Sequence, residues 1–129
     1  MRILICGDRN WIDKELIHST IKAILDGRPE GGIETIIEGD ARGADRLAGH
    51  IADELGISKH VFPAKWGLYG RAAGPIRNTQ MREEGHPDLV VAFHDDIENS
   101  KGTKDMLKQA KMAGIPTNLI SHNKGVAIK

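Results

Sequence analysis

Four short stretches of this sequence set glycine beside groups that hold anions: Gly7-Asp8-Arg9-Asn10, Gly39-Asp40-Ala41-Arg42-Gly43, Gly74-Pro75-Ile76-Arg77-Asn78 and Ser100-Lys101-Gly102-Thr103. Glycine lets a backbone approach a ligand closely. Hydroxyl, ammonium and guanidinium groups donate to phosphate oxygens. Arg77 is the most informative single residue, because a guanidinium beside Asn78 in the first turn of a helix can grip a phosphate or carboxylate through two parallel bonds. Trp66 and Tyr69, in a glycine-rich stretch, offer ring faces to a base or sugar. A plainer reading stands beside each. Glycine after a strand is ordinary turn chemistry, Arg77 can pair with Glu83 or Glu84, and the aromatic residues can pack or ride on a lid. Gly39 to Gly43 also lacks the Lys-Ser/Thr ending of a P-loop.

Asp8, Asp40 and Asp45 are the carboxylates available to acid–base chemistry in these stretches. Asp8 and Asp40 can equally cap helices, and Asp45 can favour a helix dipole from the first turn. Asp95, Asp96 and Glu98 read as a solvated loop. The six histidines have no metal-ligand spacing, and the single Cys6 excludes both an intrachain disulfide and a cysteine-based zinc site. Neither a metal nor a cofactor is expected.

Loops so far apart in the chain need a scaffold that brings them to one rim. Short apolar runs alternate with helical patterns from end to end. Strands are predicted over Arg2–Cys6, Glu34–Glu38, Ser58–Phe62, Asp88–Phe93 and Thr117–Ser121, the fourth being the most hydrophobic and therefore central. Helices are predicted over Trp11–Asp26, Ala44–Leu55, Gly74–Gly85 and Gly102–Ala113, with a long glycine-rich loop from Ala64 to Ala73. The pattern is that of an α/β protein, one doubly wound domain with a mainly parallel five-stranded sheet flanked by helices. Such sheets take ligands outside the carboxyl ends of their strands, where helix N-termini attract phosphate. Several such ends at one edge point to a nucleotide or another phosphorylated small molecule.

The 129 residues, 40% of them hydrophobic, suffice for one core. Residues 1–122 are read as the domain and 123–129 as a flexible tail. Eighteen basic residues balance eighteen acidic ones, which argues against a surface built for duplex DNA while leaving a local basic patch open. Aromatic residues make up 4%, too few for a platform on which single strands stack, so no nucleic-acid partner is expected. No run approaches the roughly 20 apolar residues of a membrane span, and the first residues are apolar too briefly for a signal peptide. A cytoplasmic location, away from membranes, is expected.

Gly7-Asp8-Arg9-Asn10-Trp11, Glu38 through Asp45, Phe62-Pro63-Ala64-Lys65-Trp66, Ala73 through Asn78 and Ser100 through Thr103 occur in an order that resembles the YspA-like branch of the SLOG superfamily, small Rossmann-like proteins. The resemblance runs from Ile3 to about Pro116. More distantly, Arg77-Asn78-x-x-Met81 and Asn99 through Met106 look like two motifs of the LOG-type phosphoribohydrolases, which cleave the N-glycosidic bond of nucleoside monophosphates. In that pattern Met106 stands where the hydrolases place a catalytic glutamate, and Asn78 where they place a lysine. The resemblance thus implies phosphate holding without the usual proton donor. It implies a protein that binds a nucleotide-derived ligand, as a sensor, sequestering or processing protein of bacterial or phage conflict. The alternative is an N-glycosidase with its carboxylate relocated to Asp8, Asp40 or Asp45. Relatives that form dimers imply a homo-oligomer. DNA-processing protein A shares the superfamily, so single-stranded DNA binding is a distant third.

Overall fold

Ile3-Leu4-Ile5-Cys6 is apolar at every position, the pattern of a strand covered on both faces. In the computed structural model, which describes residues 1–27 and 29–123, it forms the middle of β1 (Arg2–Gly7) at the centre of a five-stranded sheet. Its neighbours are β2 (Thr35–Glu38) and β4 (Leu89–Phe93), and β3 (Ser58–Val61) and β5 (Thr117–Ile120) form the edges. The order is β3-β2-β1-β4-β5, and every pair is parallel.

Side chains alternate across β1. Ile3 and Ile5 join Ile36, Val91 and Phe93 beneath α1 (Lys14–Asp26) and α2 (Ala44–Leu55). Leu4 and Cys6 join Ile37, Val90 and Ala92 beneath α4 (Ala73–Gly85) and α5 (Lys101–Met112). The chain therefore winds outward through β2 and β3 with helices on one face. It then crosses back beyond β1 and continues with helices on the other, the doubly wound arrangement the alternation predicts.

Three details differ from the sequence reading. The hydrophobic strand β4 is interior but not central, and β5 on its outer side satisfies its second ladder. The first helix begins at Lys14 rather than Trp11, because the Asp13 side chain accepts from the Leu16 amide and caps it there. Trp11 lies before the cap, buried against Phe93 with ring centroids 5.7 Å apart. The segment after β3 is wound, with a one-turn helix α3 (Trp66–Tyr69) and a 3-10 turn at Gly70–Ala72 running straight into α4. Pro75 sits inside the first turn of α4, where its missing amide hydrogen has no helical acceptor. Of the expected tail, Asn123 donates to the Asp95 carbonyl, and residues 124–129 lie outside those described. No helix among the described residues is long and apolar enough to cross a membrane.

Candidate functional site

The strand order reverses between β1 and β4, so the loops that follow these two strands diverge. They leave a cleft of about 500 Å³ at the carboxyl edge of the sheet. Gly7, Asp8, Arg9 and Asn10 wall it on the β1 side. A Cβ on Gly7 would overlap the carbonyl oxygen of Phe93, so only glycine lets β1 and β4 stay paired to this point. The Asp8 carboxylate accepts from the Asn10 amide at 2.9 Å, fixing an Asx turn, while its carbonyl receives the amides of Trp11 and Ala44, each at 3.1 Å. Asp8 therefore shapes its own loop and docks the start of α2 instead of capping a helix.

Arg77 enters from the first turns of α4. Nη1 donates to the Gly39 carbonyl at 2.5 Å and Nε to Asn78 Oδ1 at 3.1 Å. No carboxylate among the described residues lies within ion-pair distance, so the expected alternatives Glu83 and Glu84 are not its partners. Asn78 is buried, and its amide nitrogen donates to the Gly102 carbonyl at 3.1 Å and to Asp105 at 3.0 Å. All of its hydrogen-bonding capacity but one lone pair is engaged by protein. It lines the cleft as a strut that fixes Arg77 against α5.

Ser100 caps α5, its hydroxyl accepting from the Thr103 amide at 3.1 Å. Ser100, Lys101, Gly102 and Thr103 all line the cleft, which places the N-terminus of a twelve-residue helix, with the Lys101 and Gly102 amides ahead of the capped Thr103, at its rim. Gly74 and Pro75 line it from α4, and Trp66 closes one side with the Arg9 guanidinium 5.3 Å from its ring centroid.

Asp45 is 5% exposed, and its Oδ2 accepts from the Ala41 amide at 3.2 Å. Burial pushes its carboxyl up to about 6, against the opposing pull of Arg77 and of the Ala41 and Gly39 amides. Gly39 and Asp40 lie outside this cleft and line a contiguous chamber of about 320 Å³, with Arg77, Arg9, Arg42 and Trp66 shared between the two. Asp40 engages Arg46 there at 3.1 Å and caps no helix. Gly43 lines neither space. At φ +84 it presses on the Asp8 and Arg9 carbonyls, where a Cβ would collide, and so joins the two loops.

Several lining residues were not assigned to the site by the sequence reading. Cys6, Met81 and Met106 form an apolar floor, so Met106, which stands in the place of the hydrolases' glutamate, lines the cleft without a carboxylate. Burial raises the Cys6 thiol, which keeps it protonated. Arg42 and Arg71 add positive charge. His94 accepts the Asp96 amide at Nδ1, 2.9 Å away, which puts the proton of a neutral ring on Nε2 as a donor. The one signal for it was its position directly after β4. Glu38 ends a buried strand, which was the signal missed. Its carboxylate accepts the Asp40 amide and fills the space left by the absent side chain of Gly49. Among the described residues no group of three His, Cys, Asp or Glu side chains is placed to hold a metal ion.

An open parallel sheet with a cleft where its order reverses defines a Rossmann-like α/β protein. The chain belongs to the YspA, cpYpsA-related SLOG family, whose profile matches residues 1–69. It is 32% identical over 120 residues to the Gene 61 protein of Mycobacterium phage D29, an alignment covering 89% of this chain and 92% of that one. Its fold is similar to that of DNA processing protein A (DprA) from Streptococcus pneumoniae, with a TM-score of 0.50 and 14% identity. That superposition takes in 99% of this chain but 61% of the longer DprA chain, and the likeness is one of fold.

Proposed function

We propose that the cleft binds a nucleotide or a nucleotide-derived phosphorylated ligand. The observation that carries this reading is local charge. In a chain with no net charge, Arg9, Arg42, Arg71, Arg77 and Lys101 line a space whose carboxylates are Asp8 and Asp45. The α5 N-terminus and the Nε2 side of His94 add donors, the Met81 and Met106 side chains give a base or sugar an apolar floor, and Trp66 gives it a ring face. The protein then acts by holding its ligand, as a sensor or a sequestering protein, and similarity to a phage protein supports a place in phage–host conflict. Differential scanning fluorimetry and calorimetry with AMP, CMP, ADP-ribose and cyclic dinucleotides test this. Saturable binding that Arg77→Ala weakens by roughly tenfold or more, the share of a charge-assisted pair, supports it. Failure of a folded protein to bind any of them removes it.

Asp45 favours a second reading, cleavage of an N-glycosidic bond. Its carboxyl near 6 lies closer to working pH than those of ordinary aspartates, and it stands in the wall beside Arg77. Release of free base from AMP, CMP or NAD that disappears in Asp45→Asn would establish it, whereas binding without product would leave the first reading alone.

A further inference from the structure

The chamber beyond Arg77 has a composition that the main cleft does not account for. Arg9, Arg42, Arg46 and Arg77 surround it, and Asp40 is the carboxylate among its lining residues. Asp40 is engaged by Arg46 through both its side chain and its carbonyl, each at 3.1 Å. The other three guanidiniums have no carboxylate partner within ion-pair distance among the described residues. Neutral oxygens hold two of them. Arg42 donates to the Arg9 carbonyl and to Asn10 Oδ1, both at 3.3 Å, and Arg77 to Gly39 and Asn78. Arg9 lies over the Trp66 ring. Eighteen acidic residues are available to the chain, yet these three cations converge on a space from which carboxylates other than Asp40 are absent. Positive charges so gathered repel one another unless an anion enters between them.

Building on the proposed nucleotide site, we infer that the ligand carries two separated anionic groups. One sits in the main cleft at the α5 N-terminus, and the other in the arginine chamber behind Trp66 and Arg77. The chemical class is a nucleoside bearing phosphates on different positions, or a dinucleotide, rather than a monophosphate. Arg77 faces both spaces and touches both groups. Trp66, shared by both, covers the sugar or base that joins them. Gly39, Asp40 and Arg46 are specific to this second group, since they line the chamber and not the main cleft.

Calorimetry with AMP, ADP and adenosine 3′,5′-bisphosphate on the full chain tests this, with Arg46→Gln as the variant. Arg46 is half-exposed at the surface, so the variant folds, and its melting curve verifies that. The expected result is that adenosine 3′,5′-bisphosphate binds roughly tenfold more tightly than AMP or ADP, and that Arg46→Gln collapses this ratio toward one. Binding of all three with equal affinity overturns the inference and leaves the nucleotide site standing. So does a variant that weakens every probe by the same factor. A decathymidylate that outcompetes all three overturns it in favour of a single-stranded nucleic acid. Binding of none removes the underlying site as well.

Discussion

The Arg77 guanidinium donates to the carbonyl oxygen of Gly39, tying the first turns of α4 to the loop after β2. A side chain on Gly39 is incompatible with that bond. Its Cβ would overlap Arg77 Nη1 and stand 2.9 Å from Asp45 Oδ2. Gly39→Ala is therefore expected to push the guanidinium out of both spaces and lower affinity for any anionic ligand by roughly tenfold or more, at a stability cost of about 1–3 kcal/mol from overpacking. Calorimetry and urea unfolding on the same variant separate the two effects. Unchanged affinity would mean that Arg77 does not hold the anion from this position.

Asn78 joins α4 to α5 through two hydrogen bonds donated by one buried amide group, and its oxygen accepts a third from Arg77 within α4. Asn78→Ala removes a donor from the Gly102 carbonyl and from the Asp105 carboxylate, and leaves Arg77 Nε without its acceptor. The expected loss is about 2–3 kcal/mol, the order found for buried partners left unsatisfied, and it is read from the urea midpoint at constant m-value. Affinity for an anionic ligand falls with it, because Arg77 loses the contact that orients it.

The contrast between Arg77 and Asn78 shows what could be read in the sequence. Strands and helices were legible because each carries a period: Ile3 to Cys6 apolar throughout, Ala44, Ala48, Ile51 and Ala52 at helical spacing. The edge on which the glycine loops meet followed from that alternation. What could not be read were tertiary partners. Asp13 rather than Asp8 caps the first helix, and Gly43 serves loop packing, because both depend on which loops touch. The segment from Trp66 to Ala72 winds into helical turns although it carries two glycines, since the start of α4 against which it packs is invisible to local propensity. His94 and Glu38 escaped notice for the same reason. A single polar residue at the end of a strand has no periodicity to betray it.

His122 bridges two rim loops. Its ring stacks on Trp11 at 4.6 Å and contacts Asp13 at 2.7 Å and Asp95 at 2.8 Å. Hydrogen bonds donated by the ring to these carboxylates, Asp13 first, raise the imidazole above its usual range, and the same bonds lower both carboxylates. A raised histidine stabilises the fold fully below its unfolded pKa of 6.5 and loses that contribution as pH rises through the folded value. Lowered aspartates contribute above 3.8 and lose it as pH falls through their folded values. The clasp is thus strongest between these limits. Melting temperatures of the wild type and His122→Ala, measured across pH, should differ most in mildly acid solution and converge above neutrality. A difference independent of pH would assign His122 to packing on Trp11 alone.

Glu38 works in the opposite sense to those two aspartates, its contribution being lost as pH rises. Burial raises its carboxyl from 4.5 to about 7, outweighing the Asp40 amide that favours the anion. A raised carboxyl stabilises the fold below its unfolded pKa, so this contribution is lost as pH climbs from 4.5 through 7. Glu38→Gln retains an oxygen for the Asp40 amide and removes the charge. The variant should match the wild type in acid and exceed its stability at pH 8 by about 1 kcal/mol or more. Chemical denaturation at pH 5 and pH 8 reads that difference directly. If Glu38→Gln is instead less stable at pH 8, the ionised carboxylate is what holds Asp40 at φ 58, and the turn beside Arg77 depends on charge rather than on shape.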